Sequence, residues 1–299
     1  MSETIALIGF GEAGACIGRG LAAEPDVTVR AYDIRFSGNG AAELTERAAA
    51  MRIAPHAQLA GALEHATLVF SAVVGSAAVD AAVSAAPLLR PTQAFVDLNS
   101  VSPKRKRAID EAVRPSGVLF IEAAVMARVP LHGHRVPMLL AGFAAESIAK
   151  RLNAIGMKTE AVGDQIGQAS ANKMLRSIMV KGIEALLIEC LVAARRCGIE
   201  ERILDSVSET FPGFDWREAA TYYLGRTALH GARRVTEMNE VAETLGDLNL
   251  EPIMATAIAK RIGSTFELLR DVGWNTGGPA SYHDILDAIE QRQASGSEE

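Results

Sequence analysis

Cysteine is scarce in this chain: Cys16, Cys190 and Cys197 are the only three in 299 residues, with no CxxC pair among them. An odd number of widely spaced thiols excludes a disulfide framework and a structural zinc site, and makes a reducing cytoplasm the expected setting. Positive charge is also short. Thirty Lys and Arg stand against 36 Asp and Glu, a formal net charge of −6, so no overall field exists to gather nucleic acid or an anionic membrane surface. No apolar run is long enough, outside glycine-rich turns, to read as a membrane span. The apolar start from Thr4 to Ile8 lacks a basic region before it and leads directly into Gly9, so it reads as a first strand and not as a signal peptide. No GxSxG or HExxH occurs, which removes the residues on which the corresponding hydrolases depend.

What is present is enough apolar material, 49% of the residues, for two ordinary domains. From Thr4 to about Gly163, short β-branched or apolar runs (5–8, 27–32, 68–74, 94–98, 118–123 and 137–141) alternate with helical stretches (13–23, 41–51 and 103–113). Such alternation is the pattern of a parallel, doubly wound sheet covered by helices. After Gly163 the strand signals stop. Residues 168–196 read as one long helix closed by Cys197 and Gly198, with Arg195 and Arg196 against the negative end of its dipole. From Gly182 to Ala194 it is apolar on nearly every face, so it should be buried on most sides, between domains or in a subunit interface. A second helix is expected from an Asp215 N-cap to about Leu245, and a last one over 284–293, between a turn-rich stretch at 275–279 and a polar tail at 294–299.

The sharpest local signal is Gly9-Phe10-Gly11-Glu12-Ala13-Gly14, between the first strand and the first helical pattern. Glycines at these positions allow a tight turn, a close approach of backbone to a pyrophosphate, and close packing of helix on strand, while the helix amides face the phosphates. A Rossmann-type domain is expected over 1–163, and an all-α domain over 164–299, joined by the long interdomain helix. Phe10, Glu12 and Ala13 belong to the phosphate-facing turn. Asp33, ending the second strand, is placed to accept from the ribose hydroxyls and favours NAD. Arg35 could neutralise a 2′-phosphate and admit NADP, lie along the adenine, or be an ordinary surface side chain. No metal is expected: His132 and His134 form a loop pair without carboxylate or thiol partners at metal spacing.

Three further stretches carry candidate chemistry. Asp97 to Pro103 ends a strand where ligands bind in open α/β sheets, and Ser102-Pro103 is equally a good helix start. The opening of the long helix, Gly167 to Lys173, places Lys173, Ser177 and Glu184 on one face, with Lys181 and Arg176 to either side. A buried lysine needs a partner and titrates readily, as a general acid or base requires, but a solvated first turn would carry the same residues. On the Asp215 helix, Arg226, His230, Arg233, Arg234 and Glu237 share one side. They read either as a salt-bridged exposed face, with Arg233 and Glu237 paired, or as a guanidinium fork for a substrate anion. The run Lys104 to Arg107 reads as a solvated helix face.

With Gly9 to Gly14, Asp97 to Pro103 and Gly167 to Lys173 in this order, the chain resembles the β-hydroxyacid dehydrogenase family, which includes 3-hydroxyisobutyrate and 6-phosphogluconate dehydrogenases. The resemblance implies NAD(P)-dependent hydride transfer with Lys173 as acid or base and Ser177 beside it. It implies that Ser100 touches cofactor and substrate, that Asn99, Val73 and Val74 line the cofactor, and that the molecule is a homodimer. Departures bear on the substrate. The family's Ser-Gly-Gly anchoring run is replaced by Ala123 to Arg128, which includes Met126, Ser177 stands for an Asn, and Arg233-Arg234 replace a Lys-Asp pair. An anionic hydroxyacid held by Arg233 or Arg234 is the expected substrate; an imine reductase or a non-catalytic dinucleotide sensor are the alternatives.

Overall fold

The computed structural model describes residues 2–38, 40–274 and 278–295, so 275–277 of the turn-rich stretch and 296–299 of the tail lie outside the described residues. The chain divides into two compact units, Met1–Lys173 and Met174–Glu299. The first contains strands β1 (Glu3–Ile8), β2 (Val27–Tyr32), β3 (Ile53–His56), β4 (Leu68–Ser71), β5 (Ala94–Asp97), β6 (Leu119–Val125), β7 (Pro137–Ala141) and β8 (Lys158–Gly163). Its helices are α1 (Glu12–Leu21), α2 (Ala41–Ala50), α3 (Leu59–Leu63), α4 (Ala78–Ala85), α5 (Pro103–Val113), α6 (Val129–His132) and α7 (Ala145–Ala154).

The strands form one eight-stranded sheet in the order β3-β2-β1-β4-β5-β6-β7-β8. Strand order reverses between β1 and β4, which opens a crevice beyond their carboxyl ends. Both faces are covered. Ile5, Leu7, Leu68 and Phe70 pack into one core and Ala6, Ile8, Val69 and Phe95 into the other, the two-sided burial that makes parallel strands read as continuous apolar runs. The sheet is mostly parallel, as expected, with one antiparallel pairing: β7 runs antiparallel to β6, and β8 then pairs parallel to β7. The connection over 126–136 is too short for a parallel crossover. Strands β3 and β8 went unforeseen because both are edges. The first contains Pro55 and buries fully only Ile53, and the second has no fully buried residue.

The run Lys104 to Arg107 is also corrected. Lys106 is 1% exposed, because Pro103, Lys106, Ile109 and Val113 form the buried stripe of α5. Its Nζ donates to Asp97 Oδ2 at 2.6 Å, to the Asp97 carbonyl at 2.8 Å and to the Ala123 carbonyl at 3.2 Å, which uses all three ammonium donors.

In the second unit lie most of α8 (Gln168–Arg196), then α9 (Glu200–Thr210), α10 (Trp216–Asp247), α11 (Ile253–Leu269) and α12 (Tyr282–Ser295). Asp215 caps α10 as expected, its Oδ1 accepting from the Arg217 and Glu218 amides. The helix is broken at His230, whose φ of −139° is not helical. There Gly231 meets Phe266 of α11 so closely that a Cβ would stand 2.3 Å from it. On α8 Met174, Ala185, Leu187, Ile188 and Leu191 are buried, but Leu175, Met179 and Leu186 remain exposed along one stripe.

The deepest charged group of this unit is Glu184, with no exposed surface. Arg234 of α10 donates to it through Nε at 2.7 Å and through Nη2, and the Thr227 hydroxyl donates to it as well. Lys181 is buried too, 3.1 Å from Glu237, whose other oxygen stands 3.8 Å from Arg233.

Two stability predictions follow from these buried ions. Removing one partner of a buried pair strands the other charge at a cost of about 3–5 kcal/mol, so Lys106→Ala and Arg234→Ala should each lose about that much in denaturant unfolding. Arg233→Ala, whose side chain is 61% exposed, should stay within about 0.5 kcal/mol of the parent. Equal effects of the two neighbouring arginines would contradict the assignment of Arg234 to the core.

Candidate active site

The glycine turn after β1 has three different constraints. Gly9 takes a φ of +100°, and a Cβ on it would stand 2.5 Å from the Ala72 carbonyl oxygen, so the turn lies against the end of β4. At Gly14 a Cβ would meet the Gly9 carbonyl oxygen at 2.2 Å, whereas at Gly11 nothing lies within 4 Å. The first and third glycines are therefore needed by the fold itself, and the second faces open space where a pyrophosphate can approach the backbone. No side chain caps α1, so its positive end is left for an anion. Glu12 and Ala13 are exposed beside Gly11. Phe10 does not offer its amide to a phosphate, because that N–H donates to Asp33 Oδ2 at 2.7 Å.

Asp33 ends β2 at 8% exposure. Burial works to raise its pKa, but hydrogen bonds from the Arg35 side chain and from the Arg35 and Phe10 backbone outweigh it and hold the carboxyl below its usual range. The Arg35 guanidinium grips this carboxylate through Nε at 2.8 Å and Nη2 at 2.9 Å. Asp33 and Arg35 thus form a unit, an arrangement that the sequence alone leaves open.

At the neighbouring strand ends, Val74 is 70% exposed, Val73 is half-buried and Ser100 is exposed, as residues lining a crevice can be. Gly75 packs beside Val101 and the Ser100 carbonyl. Asn99 differs from the expectation. It is buried, its Oδ1 accepts from the Val73 amide at 2.8 Å, and its Nδ2 donates to Ser71 Oγ at 2.9 Å and to Asp97. A carboxylate already buried at Asp97 recruits the amide inward, so Asn99 acts on the crevice by holding Val73 and not by its own surface.

The residue that sequence reasoning missed is Glu122 on β6. It has no exposed surface, and it accepts from the Gly167 and Ala169 amides and from the Ser170 hydroxyl, each at 2.8 Å. The available signal was a lone acid inside the apolar stretch Phe120 to Val125, since a buried polar group is more informative than an exposed apolar one. Here the acid satisfies orphan amides of the α8 terminus and meets the positive end of its dipole. Gly167, at φ +110°, packs against Pro103 and Arg107 of α5, and Ala169 packs with Ala124 and Ala141, with half-buried Met126 against them. Lys173 lies one turn further along, about 40° around the helix from Ala169, and is half-buried. Ser177, also half-buried, follows after another turn.

In the second unit, the expected pair of anion-binding arginines separates. Arg234 is committed to Glu184, while Arg233 is exposed, with Glu237 as its distant neighbour. Glu184 is likewise consumed by Arg234 and Thr227, and the buried lysine of α8 is Lys181, where burial lowers the ammonium pKa against the pull of Glu237. No group of His, Cys, Asp and Glu among the described residues could hold a metal ion, and no helix among them is long and apolar enough to cross a membrane.

The chain and its fold have known relatives. Residues 4–130 match the NAD binding domain of 6-phosphogluconate dehydrogenase, and residues 194–264 match a domain of unknown function, DUF1932. A conserved hypothetical protein from Sinorhizobium meliloti 1021 is similar over 98% of this chain and 97% of its own, with 47% identity and a TM-score of 0.82. A second solved structure, a conserved protein of unknown function described as structurally similar to 3-hydroxyacid dehydrogenases, shares 29% identity over 97% of this chain and 99% of its own, with a TM-score of 0.73. The 3-hydroxyisobutyrate dehydrogenase of Mycobacterium tuberculosis shares the fold at 17% identity, with a TM-score of 0.76 over 97% of this chain and 99% of its own. A dinucleotide turn at the reversal of a 3-2-1-4-5-6 strand order, followed by a helical domain and matched in this way, makes the chain a member of the β-hydroxyacid dehydrogenase family of NAD(P)-dependent dehydrogenases.

Proposed function

We propose that the protein interconverts a small anionic β-hydroxyacid and its oxo form, with Lys173 as the general acid and base. The observation that carries this reading is the capture of the first turn of α8 by Glu122, which fixes the stripe on which Lys173 stands relative to β6 and the start of α5. NAD(P), held at the turn Gly11 to Ala13, supplies the hydride acceptor or donor. For oxidation, the Lys173 amine takes the hydroxyl proton as the carbon–hydrogen bond breaks; for reduction, the ammonium returns it to the forming alkoxide. Ser100 and Met126 shape the substrate's surroundings, Ser177 supports the lysine along α8, and Val73 and Val74 line the cofactor.

Met126 and its neighbours lack the hydroxyl and glycines of the usual anchoring run, so a different group must hold the substrate carboxylate. Arg233 is our candidate, because its guanidinium is exposed and only loosely paired. We place the enzyme in a reducing cytoplasm and propose a homodimer that covers the apolar stripe of Leu175, Met179 and Leu186. Sedimentation should then show twice the chain mass, and a single-chain species would remove the dimer.

The experiment for the reaction is a screen of β-hydroxyacids, including branched and phosphorylated ones, followed by Lys173→Ala on the substrate found. Loss of a general acid or base costs about 10²- to 10⁴-fold in kcat, while dinucleotide binding should remain within about twofold. Equal loss of both, or turnover of cyclic imines alone, would contradict the proposal. Arg233→Ala should raise KM for the acid with little change in kcat, the signature of lost uniform binding.

A further inference from the structure

The coenzyme preference can be taken further from the charges around Asp33, resting on the reading of this turn as the dinucleotide site. A carboxylate offers about four acceptor positions, and at Asp33 four donors are already in place. Oδ1 accepts from the Arg35 amide at 3.0 Å and from its Nε at 2.8 Å. Oδ2 accepts from the Phe10 amide at 2.7 Å and from Arg35 Nη2 at 2.9 Å. A free carboxylate at this strand end selects NAD by taking the ribose hydroxyls and repelling a 2′-phosphate. This one can do neither while Arg35 holds it, since its acceptors are taken and its charge is cancelled.

A second guanidinium comes from α2. Arg47 Nη2 stands 3.5 Å from the Phe10 carbonyl oxygen that Arg35 Nη2 contacts at 3.0 Å, and the Arg47 guanidinium carbon lies 5.4 Å from the Phe10 ring centre. Two guanidiniums therefore converge on one backbone carbonyl, and the Asp33 carboxylate is bonded to one of them. The Arg35 side chain is 55% exposed and Arg47 is also exposed, so Arg35 Nη1, which makes none of these bonds, and the Arg47 guanidinium can face a ligand while Arg35 keeps its hold on Asp33. A planar fork matches a phosphate in two-point fashion, and such charge-assisted bonds are about twice as strong as neutral ones.

We infer that this chain selects NADP(H) over NAD(H), with Arg35 and Arg47 gripping the 2′-phosphate and Arg35 also locking Asp33 out of ribose recognition. The test is equilibrium binding to the whole protein, independent of any substrate: calorimetry with 2′,5′-ADP against 5′-ADP, and fluorescence titration with NADPH against NADH. The phosphorylated member of each pair should bind about tenfold or more tightly, a difference that corresponds to 1.4 kcal/mol. Arg47→Ala should weaken NADPH about fivefold or more and leave NADH within about twofold. Arg35→Ala should weaken NADPH and tighten NADH, because it releases the carboxylate. NADH binding as tightly as NADPH to the parent protein, or an unchanged ratio in both variants, would overturn the inference while leaving the dinucleotide site standing. Failure of every nucleotide to bind would overturn the site assignment and the inference together.

Discussion

A buried carboxylate receiving two amides and a hydroxyl from the start of a helix is the constraint on which the catalytic reading depends. Glu122 leaves the sheet on β6, and the terminus it captures begins 29 residues of helix, Gln168–Arg196. A helix end buried without partners would be costly, and an ion buried without hydrogen bonds more so. Each group here satisfies the other, and the helix dipole adds to the attraction. The consequence is mechanical: the rise and rotation of α8 are referenced to β6, so a lysine one turn beyond Ala169 inherits a defined position. Catalytic groups tolerate misplacement of only a fraction of an ångström, and such anchoring is what a rigid first turn provides.

The same logic recurs along the crevice. Asn99 holds the Val73 amide, Asp97 holds Asn99, and Lys106 ties Asp97 to the Ala123 carbonyl on the next strand. A chain of buried polar groups thus links the strand ends of β4, β5 and β6, so the crevice at these strand ends is backed by a satisfied network and not by loose loops. At the end of β2, Asp33 bonds the Phe10 amide and both the amide and the side chain of Arg35. Each of these acids works first on its own backbone, and its effect on a ligand passes through what it holds.

Much of this was legible in the residues. The glycine turn, the doubly wound start, the long helix over 168–196 and the Asp215 cap all follow from period, spacing and capping chemistry, because those elements bury regular apolar patterns. Edge strands β3 and β8 were not legible, since an edge buries too little to impose alternation. Helices α9 and α11 escaped for a related reason: an all-helical unit gives the same apolar recurrence for several divisions of the chain, and the kink at His230 depends on the approach of Phe266 from a distant segment. The candidate site was legible by motif and opaque by pairing. Lys106 sits in a run of cations that reads as a wet surface until Asp97 is found beneath it, and Arg233 and Arg234 are indistinguishable until Glu184 claims one of them. Ion pairing is a tertiary fact, and single-residue chemistry does not encode it.

The central claim is that the amine carried one turn beyond the captured start of α8 moves the substrate's proton. The pH profile of kcat/KM, measured for the parent enzyme and for Lys173→Ala on the same substrate, tests it most directly, because this profile reports the essential acid and base of the free enzyme. The account predicts that one titrating limb of the parent profile disappears in the variant while the rest keeps its shape. A variant profile with every limb in place would assign the proton to another group and contradict the role given to Lys173.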